Sequence, residues 1–185
     1  MTCRISMIFI AVLAFAGWAA VAADVTPPVN THAAARQLAT GPQTTASASK
    51  PVLGPIAAVT EQESGIGFVA RVDTGAKVCS IHADDISVID GSDAMQENTG
   101  KVIRFRITNR NGESTWLERQ IAEVSLVKNA NGAEWRYLVP MTLACEGSHK
   151  QVLVSLNDRS EMNYAMLLGR NLLAGAFLVD VSAIE

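Results

Sequence analysis

Regular alternation of apolar and polar residues is the feature that most constrains the fold of this 185-residue chain. The stretch Phe68–Asp73 repeats at every second residue, which is the period of a β-strand, and it ends at an aspartate. Val102–Thr108 alternates in the same way, Asn109–Gly112 has the composition of a turn, and Ser114–Val124 returns as a second strand. These segments predict a β-hairpin and place a carboxylate at the end of another strand.

The second half of the sequence continues the pattern of short strands separated by polar turns. The further predicted strands and turns are Ser125–Lys128, the turn Asn129–Gly132, Glu134–Leu143, the turn Glu146–His149, and Gln151–Leu156. Only Asn171–Ala174, between Gly169 and Gly175, has the pattern of a short helix. Closely spaced short strands predict an all-β fold, a small closed barrel with one short helix near the C-terminus.

The first 23 residues predict an export signal. Residues 1–4 are weakly basic, residues 5–23 carry no charge, and Ala20-Val21-Ala22 has the small-x-small pattern of a signal-peptidase site. An uncharged run of this length is also long enough for a membrane anchor, but its Ala-rich composition and the cleavage motif favour a cleaved signal. We therefore expect a periplasmic or secreted protein that is not inserted in the membrane after cleavage.

Composition divides the rest of the chain into a tether and one domain. Residues 24–51 are mostly Thr, Ala, Pro, Ser and Gln, which bury too little apolar surface to offset the entropy of ordering. We expect a disordered tether there, with His32 in solvent, and one folded domain over residues 52–185. The formal net charge is −3 and no basic run occurs, so nothing indicates a nucleic-acid partner.

Two short motifs lie near opposite ends of this domain. Asp73-Thr74-Gly75-Ala76 follows the first predicted strand, and Leu167-Leu168-Gly169-Arg170-Asn171 follows a late apolar strand. Each is short enough to arise by chance, but their joint occurrence in this order resembles the retropepsin family of aspartic peptidases. That resemblance implies a retropepsin-like (acid protease) barrel and hydrolysis of peptide bonds.

A closer resemblance covers about residues 52–183. The segments "ARVDTGAKVCSIHADDI" and "NDRSEMNYAMLLGRNLLAGAFLVD" are similar to the bacterial retropepsin-like proteins known as RimK-associated or "ATP-dependent zinc" proteases. Members of that family usually have Thr-Ser where Val78-Cys79 stand here. The chain carries neither the Gly-x-x-x-x-Gly-Lys-[Ser/Thr] loop of ATP-binding proteins nor the His-Glu-x-x-His of zincins, so the aspartic chemistry is what the resemblance implies, without a cofactor.

The resemblance assigns Asp73 as the catalytic carboxylate. Aspartic peptidases activate water between two carboxylates that share a proton, and the chain has a single Asp-Thr-Gly. This implies a homodimer in which Asp73 of each copy meets at the two-fold axis, acting on a peptide or protein substrate. Either the Asn109–Gly112 or the Asn129–Gly132 hairpin would serve as a flap that excludes water.

The remaining motif residues are expected to support the loop that carries Asp73. Thr74 would join the two loops of a dimer, and Gly75 and Gly169 would allow close backbone approach. Arg170 would pair with Asp84 or Asp85, since a guanidinium fixes carboxylates well. Ala76 and Leu168 complete the expected supporting set.

The two cysteines of the domain leave three alternatives open. In an exported protein, Cys79 and Cys145 could form a disulfide or remain two separate thiols. With His82 and His149, they could also form a zinc site of four ligands. A nucleophilic Cys79 paired with His82 or His149 is less favoured, because no helix terminus or cationic pocket is predicted near the thiol.

Two expectations complete the sequence analysis. Trp116, Trp135 and Tyr137 are expected to lie in the core. An alternative function, a non-catalytic periplasmic binding or scaffold module with the same fold, stays open because an intact Asp-Thr-Gly indicates capacity and not substrate access.

Overall fold

The computed structural model describes residues 49–129 and 132–183. The predicted signal peptide and almost all of the predicted tether lie outside the described residues. The strands are β1 Val52–Leu53, β2 Ile56–Glu61, β3 Gly67–Val72, β4 Cys79–Val88, β5 Val102–Thr108, β6 Ser114–Gln120, β7 Glu123–Asn129, β8 Gly132–Cys145, β9 Ser148–Asn157, β10 Met166–Leu168 and β11 Leu178–Val179. One 3-10 turn, Met95–Asn98, and one α-helix, α1 Arg170–Leu173, complete the described elements.

Strand pairing closes a ring. β10 pairs with both β3 and β4, and the order β10-β3-β2-β8-β9-β4 returns to its start. The β5–β6 hairpin extends the sheet from β4, and β7 extends it from β8. The prediction of a small closed all-β barrel with one short helix is confirmed. Within the described residues no helix has the length and hydropathy needed to cross a bilayer.

The alternation read from the sequence is the alternation of burial. In β3 the side chains of Phe68, Ala70 and Val72 are buried and the intervening residues are exposed. In β5 the side chains of Ile103 and Phe105 are completely buried. Successive side chains of a strand point to opposite faces, so the period-two pattern places one apolar face of each strand in the core.

Two element boundaries differ from the predictions. The predicted strand Ser114–Val124 is two strands, because the chain changes partner at Ile121. The Ile121 N–H bonds the carbonyl of Lys101 beside β5, whereas the next N–H bonds the carbonyl of Leu138 in β8. The helix begins at Arg170, one residue earlier than predicted, because Gly169 is its extended N-cap.

The tryptophans are not core residues. Trp116 is 45% exposed and Trp135 is 41% exposed, so the prediction of burial is wrong for both. Trp116 lies on the outer face of β6 under the guanidinium of Arg104, 4.5 Å from the ring centroid, which is a cation–π geometry. Tyr137 is part-buried against the core, and its hydroxyl accepts a bond from Asn98.

A short parallel pair, β1 with β11, lies outside the ring. It carries the exposed apolar side chains of Val52 and Leu178. The chain runs from β1 through Pro55, whose carbonyl accepts the Val72 N–H at the end of β3. The segment that follows β1 is therefore hydrogen-bonded to Val72, the residue that precedes Asp73.

Candidate active site

Asp73 lies at the end of β3, where β3 and β10 run parallel. Its N–H donates to the Leu168 carbonyl (3.0 Å), and its carboxylate Oδ1 accepts the N–H groups of Gly75 (2.8 Å) and Ala76 (3.2 Å). These bonds fix the orientation of the carboxylate and leave Oδ2 without a donor from the described residues. Asp73 is half-buried, whereas Thr74 and Gly75 are exposed, so the turn is presented at the surface of the single chain.

The Gly-Arg-Asn segment is locked to the Asp73 loop. A Cβ on Gly169 would lie 2.5 Å from the carbonyl carbon of Val78, so this position requires glycine, as the sequence predicted. The Arg170 guanidinium Nη1 donates to the carbonyls of Thr74 (3.0 Å) and Gly75 (2.8 Å). All six predicted supporting residues thus lie around Asp73, although the role of Thr74 across a dimer junction stays a prediction.

The predicted partner of Arg170 is wrong. Asp84 and Asp85 instead bind Arg106, whose Nε lies 2.8 Å from Asp84 Oδ1 and whose Nη2 lies 2.9 Å from Asp85 Oδ2. Asp84 pairs directly with Arg106 across β4 and β5, and the register of the two strands shifts between Asp84 and Ser87. This irregularity lets one arginine reach two consecutive carboxylates, which leaves Arg170 to bind backbone carbonyls.

Asn171 is a supporting residue to which the sequence analysis gave no role. Its side-chain Oδ1 accepts the Cys79 N–H (2.9 Å) and lies 3.2 Å from the Cys79 thiol, and its Nδ2 donates to the Leu153 carbonyl (2.7 Å). The Cys79 sulfur also accepts the Gly169 N–H (3.3 Å). The available signal was the Gly-Arg-Asn motif itself, because an asparagine side chain carries both a donor and an acceptor that can bond the backbone of packed segments.

The structure contradicts a disulfide. Cys79 and Cys145 are free and buried. Cys79 pairs with Val154 on β9 and Cys145 with Ser148, six residues apart on one strand, or about 20 Å. A disulfide requires Cα atoms within about 7 Å. Of the three alternatives, the structure supports two separate thiols.

The same register separates the four residues of the proposed zinc set. His82 lies further along β4 than Cys79, away from Cys145 and His149 at the β8–β9 turn, and no group of three metal-ligating side chains occurs among the described residues. His82 Nδ1 instead accepts the Arg159 N–H (3.0 Å). Burial raises the pKa of the Cys79 thiol to about 11, which also removes the thiolate that a Cys–His nucleophile would need.

A cleft of about 670 Å³ begins two residues beyond Asp73. Its walls are the loop Gly75–Val78, the hairpin strands β7 and β8, and β9, with Leu167 and Asn171 at one side. Asp73 does not line the cleft; it precedes the lining residue Gly75 by two positions, and its Oδ1 accepts the Gly75 N–H. The carboxylate is therefore bonded to two residues, Gly75 and Ala76, that line a groove large enough for several peptide residues.

The structure distinguishes the two predicted hairpins. Ser125–Lys128 of β7 line the cleft, so the hairpin whose turn was predicted at Asn129–Gly132 covers it, although residues 130–131 lie outside the described residues. The Asn109–Gly112 turn is held elsewhere: Asn109 donates to the Gly67 carbonyl (2.8 Å). Of the two, the β7–β8 hairpin is the one that lies along the cleft, where a flap would have to be.

Positive charge dominates the cleft. Five cationic residues and one acidic residue, Glu123, line it; the cations are Lys77, Lys128, Arg136, Lys150 and Arg159. Arg159 is 6% exposed. Burial lowers the pKa of its guanidinium, the neighbouring Arg136 and Arg110 add to that effect, and the Asp73 carboxylate opposes it.

Comparison with known families agrees with this geometry. Residues 52–185 match the RimB-like model, described as retropepsin-like aspartic endopeptidase RimB. The chain belongs to the RimB-like family. This is the family that the Asp73 and Gly169 motifs predicted.

Relatives of the RimB-like chain carry a different name. It is 28% identical over 134 residues to a "Probable alpha-L-glutamate ligase" of Desulfotalea psychrophila, covering 71% of this chain and 28% of that protein. It is 32% identical over 116 residues to a protein of the same name from Shewanella pealeana, covering 61% of this chain and 24% of the relative. The chain thus spans about a quarter of the length of these relatives.

A solved structure shows the same fold. The crystal structure of Lpg0085 from Legionella pneumophila, a protein of unknown function, superposes with a TM-score of 0.58 at 24% identity. The match covers 73% of this chain and 96% of that one. The RimB-like barrel of this chain is therefore one that occurs in an experimental structure.

Proposed function

We propose that this RimB-like chain is an exported aspartic endopeptidase that hydrolyses peptide bonds with water activated between two copies of Asp73. The observation that carries the proposal is the Asp73 carboxylate, held by the N–H groups of Gly75 and Ala76, which themselves line a peptide-sized cleft. Family membership supports the same chemistry. Export stays a prediction from the sequence of residues 1–23.

Amide hydrolysis is slow because water is a poor nucleophile and the amine a poor leaving group. An ionised carboxylate takes a proton from the attacking water while a protonated one donates to the carbonyl oxygen. Close approach of two carboxylates favours this state, because both are not readily charged at short range. The orientation of Asp73 through Oδ1 leaves its Oδ2 for the water.

One carboxylate in each chain calls for a second copy. Three features support a two-fold dimer at this site: the exposed Thr74 and Gly75, the half-buried Asp73, and the apolar surface of β1–β11 nearby. A two-fold axis through the Asp73 turns would bring two identical carboxylates together. The β7–β8 hairpin of each copy would then cover the shared cleft as a flap.

The charge of the cleft favours acidic peptides. With five cations and one carboxylate in its lining, the groove attracts negatively charged segments, and low-dielectric walls strengthen that field. The name of the relatives concerns glutamate, an acidic amino acid. We infer that the substrate is a peptide or exposed protein segment that carries Asp or Glu near the bond to be cleaved.

Co-expression of wild-type chains with Asp73→Asn chains tests the carboxylate and the dimer together. If each site needs Asp73 from both copies, cleavage of a mixed peptide library falls with the square of the wild-type fraction, so half-replacement leaves about a quarter of the activity. Homogeneous Asp73→Asn protein loses cleavage by at least 10³-fold with its melting temperature unchanged. Mass spectrometry of the products measures both.

Asp93→Asn is the matched control, because Asp93 is an exposed carboxylate on the loop before the 3-10 turn. It should leave activity unchanged at every mixing ratio. A linear fall of activity with the wild-type fraction would contradict the shared site. Wild-type protein that binds peptides but cleaves none of them would support the binding-module alternative instead.

A further inference from the structure

Two buried serines lie side by side on the floor of the cleft. Ser80 of β4 pairs with Ser155 of β9, Ser155 pairs with Leu138 of β8, and Ser80 pairs with Leu167 of β10. Directly paired residues of neighbouring strands point to the same face of a sheet. The four side chains therefore form one row across the floor, serines in the middle and leucines at the ends, and all four line the cleft.

The hydroxyls of this row have no partner. Ser80 is 7% exposed and Ser155 is 2% exposed, and within the described residues neither Oγ makes a hydrogen bond. A third buried oxygen without a bond, Glu61 Oε1, faces the Arg119 guanidinium at 3.7 Å. Each buried hydroxyl without a partner costs about 1–3 kcal/mol. The serine pair thus offers two donors to whatever enters the cleft.

Arg159 stands beyond Ser155, just past the end of β9, and its position is fixed from three sides. Its N–H is bonded to His82 Nδ1 (3.0 Å), its carbonyl accepts from Arg110 Nη2 (2.9 Å), and its own Nε donates to the Tyr164 carbonyl (3.0 Å). No bond from its Nη1 or Nη2 is found among the described residues. These three bonds fix the position of the Arg159 guanidinium and leave its two terminal nitrogens, Nη1 and Nη2, for a ligand.

We propose that Ser80, Ser155 and Arg159 form the subsite that reads an acidic side chain of the substrate, so they are specificity-determining residues. The inference rests on the proposed function and names the residues that select its substrate. A carboxylate accepts bonds from both hydroxyls and from a guanidinium, and bonds of charged groups are the stronger ones. A leucine in the substrate would leave all three donors unpaired, and a substrate glutamine would leave the buried charge of Arg159 uncompensated.

The flanking leucines define where the rest of that side chain lies. Leu138 and Leu167 are apolar walls on either side of the serine pair, suited to the methylene groups of an acidic residue. The bonds to Ser80 and Ser155 would be made only at the end of the side chain. The subsite thus selects both for a carboxylate and for a side chain of the length that places this carboxylate at the serines.

The test uses full-length Asp73→Asn protein, so that binding is read without cleavage. The probes are capped octapeptides of alternating Ala and Ser that carry one Glu, Gln or Leu at each position in turn. NMR titration follows the amide signals of Ser80 and Ser155 and gives the affinity. At one position Glu should bind at least tenfold more tightly than Gln or Leu and shift both amide signals.

Substitutions assign that preference to the row. The Ser80→Ala, Ser155→Ala double variant should lose at least fivefold of the preference for Glu over Leu, and Arg159→Lys should lose part of the preference for Glu over Gln. Ser114→Ala, an exposed serine of β6 that does not line the cleft, should retain both. The serine variant is the decisive one, because Arg159 also holds local structure.

Each outcome separates the subsite from the proposed function. A Glu preference that survives in the double-serine variant would overturn the subsite. The space above the two serines would then hold water only. The absence of binding by every peptide would overturn it as well. If the Glu preference depends on the serines but wild-type protein cleaves no peptide, the subsite stands and the peptidase fails.

Discussion

The Asp73 loop and the floor of the cleft differ in how their polar groups are bonded. Around Asp73, much of the loop backbone has a partner: groups of residues 73–79 are bonded to Leu168, Arg170 and Asn171. On the floor, the hydroxyls of Ser80 and Ser155 have none. The Asp73 loop leads directly into β4, which begins at Cys79, and Ser80 is the next residue of that strand.

This difference separates two roles within one small barrel: holding the reacting group and recognising the substrate. A reacting group must be held in one geometry before substrate arrives, and the bonds around Asp73 do that. A recognition group must keep donors unused until a ligand supplies acceptors, at a cost in stability. The comparison predicts that substitutions near Asp73 destabilise the fold, whereas substitutions on the floor do not.

The largest effect is expected at Gly169. Because a Cβ there would lie 2.5 Å from the carbonyl carbon and oxygen of Val78, Gly169→Ala must push apart the Asp73 loop and the helix N-cap. Overpacking of this kind costs about 3 kcal/mol or more, so the melting temperature should fall by roughly 6–12 °C for a domain of this size. Differential scanning calorimetry measures the change.

Gly67→Ala is the matched control for that prediction. Gly67 also lies in the described barrel, but no atom lies within 4 Å of the Cβ it would gain, and its φ is not positive. Its melting temperature should change by less than 2 °C, since surface substitutions without special features are worth about 0.5 kcal/mol. Equal losses at both glycines would show that the Asp73 loop is not tightly packed.

An intermediate effect is expected from Cys79 at alkaline pH. Burial raises the pKa of the thiol from 9.0 to about 11, so the folded protein resists an ionisation that the unfolded chain undergoes more readily. The stability from this group is complete below pH 9 and is lost as pH rises from 9 to about 11. The loss amounts to roughly 2–3 kcal/mol, from about 1.4 kcal/mol for each pKa unit.

The Cys79→Ser variant isolates that contribution, because serine does not ionise in this range and keeps the bonding pattern to Gly169 and Asn171. Urea unfolding at pH 8 and at pH 11 should show a smaller loss of stability in the variant than in the wild type. An identical loss in both proteins would mean that the thiol titrates freely. Cys145, whose pKa is also raised to about 11 by burial and Glu146, is present in both and cancels.

Much of the Asp73 region was predictable because its information is local. Alternation in Phe68–Asp73 located β3, and the motifs Asp73-Thr74-Gly75 and Gly169-Arg170 were assigned together from a resemblance. Their contact follows from the parallel pairing of β3 with β10. A glycine that allows close approach is readable from the sequence once the two segments are known to meet.

The floor was not predictable, because it depends on strand register. Ser80 and Ser155 stand 75 residues apart in the numbering and carry no motif. Only the pairing of β4 with β9 makes them neighbours. The same register separates Cys79 from Cys145, which spacing in the sequence could not reveal. The outer positions of Trp116 and Trp135 depended likewise on which face of each hairpin meets the core.

The smallest effect, and the one of opposite sign, is expected on the floor. Ser80→Ala and Ser155→Ala each remove a buried hydroxyl that has no partner, so each should leave stability unchanged or raise it by about 1 kcal/mol. Ser64→Ala is the control, since its hydroxyl donates to the Glu61 carbonyl and accepts the Ile66 N–H; that variant should lose about 1 kcal/mol. Urea unfolding of the three variants at pH 7 resolves differences of this size. Floor variants that lose stability as Ser64→Ala does would show that water or the protein already satisfies the two hydroxyls, and the contrast between the Asp73 loop and the floor would disappear. If they gain stability while losing the preference for acidic peptides, the chain retains these hydroxyls for recognition at the expense of stability.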